Sequence, residues 1–322
     1  MALLRRRQAP ILAVGPDQLS GLLRLCAAEP VCAVPLAHQV LRWSRWGRGD
    51  LVAVGTLSSP RAAAWATSGV MPFGLAARGG LGGATRGEVQ ALAEHCRSRL
   101  VRRGSLLGPV QDVASLWRPL HEMGAESREE RWNQPLLCAD HAPGGQGLVA
   151  AQVRRRPALA WAARGLHQAG RAEEERVLGA SVAMFTGELG YDPTEAGGSY
   201  ARHVGWLVSS GRSYVVVDDG AGGPAQPGDG SAQVAFKADV GALWGAPDGA
   251  VAQLTGVWTR PDLRGRGLGA VALAATVDAV RRDHVGPRGT VSLYVNDFNA
   301  AALALYRSVG FHQVGTFATI LL

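Results

Sequence analysis

The chain has 322 residues, which fits two domains better than one, and 47% are hydrophobic, enough to bury a core and to exclude a disordered chain. Its net charge of +7 does not point to nucleic acid. Lys237 is the only lysine, the arginines are scattered, and no basic stripe is interleaved with aromatics. No apolar run reaches the roughly 18 residues needed to span a membrane, and the basic start of the chain meets an apolar stretch broken by Pro10 and Pro16, which argues against a signal peptide.

In chain order, residues 17–46 are predicted helical from the spacing of Leu19, Leu22, Leu23, Leu25, Leu36, Val40 and Leu41. Leu51–Leu57 and Ala62–Thr67 read as strands, and Gly69–Ala77 as a third, followed by a glycine cluster at Gly79–Gly83. A helix over 87–103, a strand at Ser105–Leu107, a helix at Val110–His121 and a strand at Gln134–Cys138 follow. The stretch Ala142–Gly147 has linker chemistry and sets the expected boundary between domains 1–145 and 146–322.

The second half is expected to open with a strand near Leu148–Arg154, then a helix clearest over Ala172–Leu189. Tyr214–Val217 and Gln233–Val240 read as strands around a Gly/Pro hairpin tip at Gly220–Gly230. Next come a strand at Val251–Thr259, a helix over 268–283, a strand at Thr290–Val295, a helix at Ala300–Val309 and a strand at Gly315–Leu321. The pattern is α/β with a central mixed sheet. Both halves run helix, hairpin strands, glycine-rich turn, long helix, strand, helix, strand. The first therefore reads either as a degenerate copy of the second or as an unrelated α/β unit. Its glycines, Arg78-Gly79-Gly80-Leu81-Gly82-Gly83, stand out of register with Arg264–Gly269.

The most informative stretch is VAQLTGVWTRPDLRGRGLG, Val251–Gly269. A strand that ends in a glycine turn opening a helix is a phosphate cradle, because backbone N–H groups and the helix dipole converge on one anion. Three ligands compete for it. Gly265–Ala270 matches G-x-G-x-x-A, but Arg260–Arg264 separate it from the strand and no acid follows at the ribose-reading distance, so a Rossmann site fits poorly. A P-loop fails because its lysine is missing. A coenzyme A pyrophosphate site is the third.

That third reading is joined by a second block. The run L-T-G-V-W-T-R-P-D-L-R-G-R-G-L-G, with Leu293–Tyr306 and Gly310-Phe311 some 30 residues on, resembles the two ordered signatures of the GNAT superfamily, the Gcn5-related N-acetyltransferases. The resemblance covers roughly residues 148–322, and the whole chain resembles bacterial GNAT proteins with an extra N-terminal domain of unknown function. It implies a GNAT fold, a mostly antiparallel mixed sheet with flanking helices, in the C-terminal half. The N-terminal α/β domain is then unrelated or a degenerate GNAT-like repeat.

The resemblance also implies acetyl-CoA as co-substrate and transfer of an acetyl group, by direct attack, to a primary amine of a small molecule or peptide. Residue by residue, it puts the pyrophosphate on Arg264, Gly265, Arg266, Gly267, Leu268, Gly269 and Ala270, and pantetheine on the backbone of Val257, Trp258 and Thr259. Asn299 matches a cofactor contact, with helix N-capping as its other role. Tyr306 matches the general acid for the departing thiolate, against a plain core role beside Phe311. Tyr294 stands where the branch acetylating protein N-termini often has Glu. Glu188 is the candidate base, with Asp192 and Asp239 as alternatives and an ordinary solvated helix-end carboxylate as the structural account.

No metal is expected. Cys26, Cys32, Cys96 and Cys138 lack metal spacing and read as reduced thiols of a cytoplasmic protein, and His203, His284 and His312 lack partners at metal or triad spacing. Neither nucleic acid nor membrane is an expected partner. The first half is expected to shape the acceptor channel or to form a homodimer interface. The rival to an enzyme is a non-catalytic acetyl-CoA-binding sensor or scaffold, which would keep the cradle without needing Tyr306.

Overall fold

The computed structural model describes residues 11–42, 46–101, 103–141, 147–195, 197–225 and 231–322. Five expected features lie wholly or partly outside them: the chain start through Pro10, the 17–46 helix at 43–45, the 87–103 helix at 102, the linker at 142–146 and the hairpin tip at 226–230.

Two runs of elements follow the same order. The first is β1 (Leu12–Ala13), α1 (Leu19–Ala27), α2 (Pro30–Arg42), β2 (Leu51–Gly55), β3 (Pro60–Ala66), β4 (Gly69–Phe73), α3 (Arg86–Arg97), β5 (Ser105–Pro109), α4 (Val110–Glu122) and β6 (Glu129–Ala139). Two short helices intervene, α5 (Leu148–Arg155) and α6 (Ala160–Gly165). The order then returns as β7 (His167–Gln168), α7 (Glu174–Leu189), α8 (Ser199–Ser209), β8 (Ser213–Asp218), β9 (Gln233–Ala246), β10 (Gly249–Thr259), α9 (Leu268–Val280), β11 (Thr290–Tyr294), α10 (Ala300–Val309) and β12 (Phe311–Leu321).

All strands join one sheet in the order β1-β2-β3-β4-β5-β12-β6-β11-β10-β9-β8-β7. Read from its two ends, the order is the same in each half, including a parallel β4–β5 pair matched by a parallel β10–β11 pair. The last strands are exchanged. β12 of the second half pairs with β5, Phe317 opposite Pro109, while β6 of the first half pairs with β11, Ser292 opposite Cys138. Between them β6 and β12 pair antiparallel along most of their length. Each half thus completes the other's sheet, β12 covering the edge of β5 and β6 that of β11.

The core follows this interlocking. Leu22, Val34, Leu36 and Val40 of α1 and α2 pack in one cluster with Ala242, Trp244 and Val251 of β9 and β10. A second cluster wraps the apolar α9 between the sheet and α5. Among the described residues no helix is long and apolar enough to cross a membrane.

Leu148–Arg154, expected as a strand, is helix α5. Leu148 and Gln152 are buried one turn apart, Val149 and Val153 pack with them at the same spacing, and the Asp278 carboxylate accepts the first two N–H groups, from Leu148 at 3.0 Å and Val149 at 2.9 Å. The β9–β10 hairpin is longer than expected because both strands run on to meet α2.

Candidate active site

β10 pairs with β11 only through Val251–Gln253, so beyond Leu254 the two strands part. On its other side the register to β9 shifts between Thr255 and Trp258, leaving Gly256 and Val257 as a bulge. The splay opens a groove of about 690 Å³, lined by α7, the end of β10, the turn before α9, and α10. A side cavity of about 250 Å³ adjoins it between β10, β11 and β6.

A buried ion pair fixes the bulge from beneath. The Lys237 ammonium donates to Asp239 at 2.5 Å and to the Gly256 carbonyl at 3.4 Å, and Ser213 donates to the same carboxylate at 2.7 Å. Gly256 has φ +58°, and a Cβ there would lie 2.7 Å from Asp239 Oδ2 and 3.0 Å from Lys237 Nζ. Gly256→Ala should therefore cost at least about 1–2 kcal/mol from the left-handed backbone alone, read by urea denaturation, and should reduce turnover. A stability equal to wild type would show that the bulge tolerates a side chain.

At one end of the groove, Arg260 clamps the strand end to the buried Asp218 through two hydrogen bonds of 2.6 and 2.8 Å. The chain then turns through Pro261–Leu263, and α9 opens at Gly267, φ +86°, with no side-chain cap. The N–H groups of Gly265, Arg266, Gly267, Leu268 and Gly269 find no acceptor among the described residues, so the positive end of the helix is open. Arg264 is tied back to the Thr259 carbonyl at 2.9 Å.

Of the residues expected here, Val257, Trp258, Thr259, Arg264, Gly265, Arg266, Gly267, Gly269, Ala270, Asn299, Tyr306 and Glu188 all line the groove. Leu268 does not: its side chain is 2% exposed and belongs to the core. Trp258 packs in the core under α7 and α8 as well as lining the wall.

Arg156, at the end of α5, was missed. Its guanidinium lies over Gly267, where a Cβ would come within 2.3 Å of Nε, and it is held by Gln152 at 2.9 Å. Reading α5 as a strand hid it. Arg156, Arg264 and Arg266 make no ion pair among the described residues, the acids that feel two of them, Glu188 and Asp262, standing beyond ion-pair distance.

Tyr306 packs its ring against Phe311, centroids 5.8 Å apart, and lines both cavities, its hydroxyl without a hydrogen-bond partner among the described residues. Burial, and then the Glu188 charge, push the phenol above its ordinary value, so it stays protonated. Asn299 caps α10 by accepting the Ala302 N–H at 3.1 Å and lines both cavities. Both of its expected positions are therefore compatible.

Glu188 sits in the last turn of α7, where the helix dipole disfavours an acid. It is exposed along the groove, and partial desolvation by the surrounding walls raises its carboxyl above the usual range despite Arg131, Arg264 and Lys237. An acid raised in the folded state costs stability once pH climbs past its unfolded value of about 4.3. Glu188→Gln should accordingly raise Tm at pH 7.5 while the two proteins melt alike at pH 4. A mutant less stable at pH 7.5 would show that the carboxylate is structural. Asp192 is occupied as a turn cap, accepting from the N–H and hydroxyl of Thr194, and Asp239 is spent on Lys237. Among the described residues no His, Cys, Asp or Glu cluster is arranged to hold a metal.

The first half handles its own turn differently. Arg78 and Leu81 close a tight hairpin through mutual backbone hydrogen bonds, and α3 is closed by a capping box between Thr85 and Glu88. Arg78 donates to Asp112 at 2.7 and 2.8 Å and to Glu29 at 2.9 Å. The glycines of Gly79–Gly83 serve a closed hairpin, with no open helix end.

An open helix N-terminus and three guanidiniums without an ion pair thus stand beside a splayed strand on a mixed α/β sheet. The chain carries a GNAT-family acetyltransferase domain preceded by a domain of unknown function. Residues 230–311 match the model of the Acetyltransferase (GNAT) family, and residues 49–160 that of DUF4081. Solved structures share the fold along nearly the whole chain. A tandem GNAT protein from the clavulanic acid biosynthesis pathway matches with a TM-score of 0.54 and 18% identity, covering 97% of this chain and 98% of that one. A Drosophila protein matches at 0.55 and 11%, covering 98% and 99%. A GCN5-related N-acetyltransferase from Kribbella flavida matches at 0.50 and 19%, covering 92% and 95%. No curated protein matches this sequence. The family and fold are those of acyltransferases.

Proposed function

We propose that this protein is an acetyl-CoA-dependent N-acetyltransferase that acylates a primary amine of a small molecule or peptide by direct attack. The observation that carries the reading is the single groove in which the open end of α9, the bulge at Gly256–Val257, and Tyr306 and Glu188 come together. The residues fit the co-substrate. The N–H groups of Gly265–Gly269 with Arg156, Arg264 and Arg266 suit a pyrophosphate, and the strand edge of β10 freed from β11 suits the amides of a pantetheine arm.

Bound acetyl-CoA supplies an activated thioester. The chain's own residues do the rest. Glu188 takes a proton from the incoming ammonium, directly or through water, because only a neutral amine attacks. The bulge directs backbone dipoles at the charge that develops on the thioester oxygen. Tyr306 holds a proton for the departing sulfur, so the C–N bond forms as the C–S bond breaks and no charged thiolate is released into the groove. A covalent enzyme intermediate is not needed. The four cysteines are free, and burial pushes Cys26, Cys96 and Cys138 up to about 12 and Cys32 up to about 11, which keeps them protonated and unreactive. Free thiols also support a reducing, cytoplasmic compartment.

The test is calorimetric titration with acetyl-CoA, followed by thiol release with a panel of amines. Micromolar binding with amine-dependent thiol release is expected. Binding without release across the panel would instead support a sensor, and no binding would remove the reading altogether.

A further inference from the structure

The side cavity between β10, β11 and β6 shares Glu188, Val257, Asn299 and Tyr306 with the groove, so it lies where an acceptor must approach. One wall comes from the first half of the chain. β6 lays Arg131 and Gln134 on it, inside the segment matching the domain of unknown function. Gln134 is fully engaged: its amide donates to Asn296 at 2.8 Å and its carbonyl oxygen accepts from Thr319 at 2.7 Å. Arg131 is only half engaged. Glu129 takes its Nε and Nη2 at 2.7 and 3.0 Å, while Nη1 has no acceptor among the described residues, although the side chain is 14% exposed. A guanidinium with five donors that spends two of them on Glu129 keeps three for a ligand entering the cavity.

Across the same cavity stands Glu188, which has neither an ion pair nor a hydrogen bond among the described residues. Arg131 does not reach it within 4 Å, yet its charge is felt there and at Tyr294. An unpaired carboxylate and an under-used guanidinium therefore face one space, separated rather than joined. That is the receptor for a zwitterion: ammonium toward Glu188 and the thioester, anion toward Arg131. At about 250 Å³ the space is smaller than the roughly 300–1,000 Å³ of drug-sized sites, and suits one molecule of amino-acid size.

We infer that the acceptor is a small amine that also carries a carboxylate, and that Arg131, supplied by the N-terminal half, is the residue that recognises the carboxylate. This rests on the acyltransferase reading above and names its substrate class. It also gives the first half a chemical role, because the exchange of β6 carries a cation of that half into the acceptor site.

The experiment compares the common L-amino acids with their decarboxylated amines, using intact protein saturated with CoA for calorimetry and with acetyl-CoA for thiol release. Carboxylated amines should bind and turn over with kcat/KM at least about 10-fold above their decarboxylated partners, as a charge-assisted contact supplies. Arg131→Met should abolish that ratio, and Arg131→Lys should keep part of it, with circular dichroism and acetyl-CoA affinity showing that the protein is folded. Amino acids that bind through Arg131 without thiol release would uphold the anion subsite and overturn acyl transfer. Equal turnover of decarboxylated amines, preference for amines within longer peptides, or an unchanged ratio in Arg131→Met would overturn the subsite and leave acyl transfer standing. Failure of every amino acid to bind would overturn the subsite as well.

Discussion

Tyr306→Phe is expected to lower kcat for acyl transfer by about 10²–10⁴-fold, the usual contribution of a positioned proton donor, with little change in acetyl-CoA affinity. The substitution separates catalysis from packing because the ring stays. Its contact with Phe311 and its place in the core are those of a phenyl group, and the lost hydroxyl has no hydrogen-bond partner among the described residues to orphan. Stability should therefore move by a few tenths of a kcal/mol at most, as for a change that leaves no buried group unpaired. Burial and the neighbouring Glu188 charge hold the phenol above its usual value near 10. Any descending limb of the pH–rate profile that belongs to Tyr306 thus falls above about pH 10. A kcat unchanged in Tyr306→Phe, on an acceptor turned over by the parent protein, would end its role as the acid and leave it a core aromatic.

Much of the candidate site was legible because its residues are consecutive or whole helical turns apart. Arg264–Gly269 opens a helix, and Asn299 and Tyr306 lie seven positions apart on one short helix, so local pattern brings them to one end of the sheet. What was hidden came from pairings that no local pattern encodes. Arg131 reaches the cavity only because β6 leaves its own half for the edge of β11, more than 150 residues away in sequence. Arg156 was lost to a short apolar run, Leu148–Val153, whose spacing suits strand or helix and which Asp278 settles from another element by capping it. The repeat was visible in the order of elements, but the out-of-register glycines of Gly79–Gly83 obscured its function. They close a hairpin there, whereas Gly265–Gly269 leave a helix end open. The exchange of β6 and β12 could not be read at all, since either strand satisfies the edge of β5 or β11 equally well by its own alternation.

The exchange makes a strong prediction for Asp112, on α4 of the first half. Its carboxylate is fully buried and accepts from the N–H groups of Gly74 at 3.0 Å and Ala76 at 2.9 Å and from both Nη atoms of Arg78. Asp112→Ala leaves two orphaned amides and takes from Arg78 one of its two acids, Glu29 remaining at 2.9 Å, so a loss of about 3 kcal/mol is expected, the low end for breaking a buried pair from one side. Removing Arg78 as well, in Asp112→Ala/Arg78→Met, should recover little of that loss, because Glu29 still holds the guanidinium in the single variant and loses its partner in the double one. The distinctive expectation is where the loss appears. If the halves folded separately, urea would unfold the first half alone and leave the groove of the second intact. Because β12 is a strand of the first half's sheet and β6 a strand of the second's, losing either half bares an edge and part of the core of the other. Asp112→Ala should therefore unfold in a single transition, with acetyl-CoA binding and far-ultraviolet circular dichroism lost together at lower urea. Two transitions, with binding surviving the first, would show that the exchanged strands do not couple the halves. A loss under about 1 kcal/mol would show that the Arg78–Asp112 pair is replaceable by water.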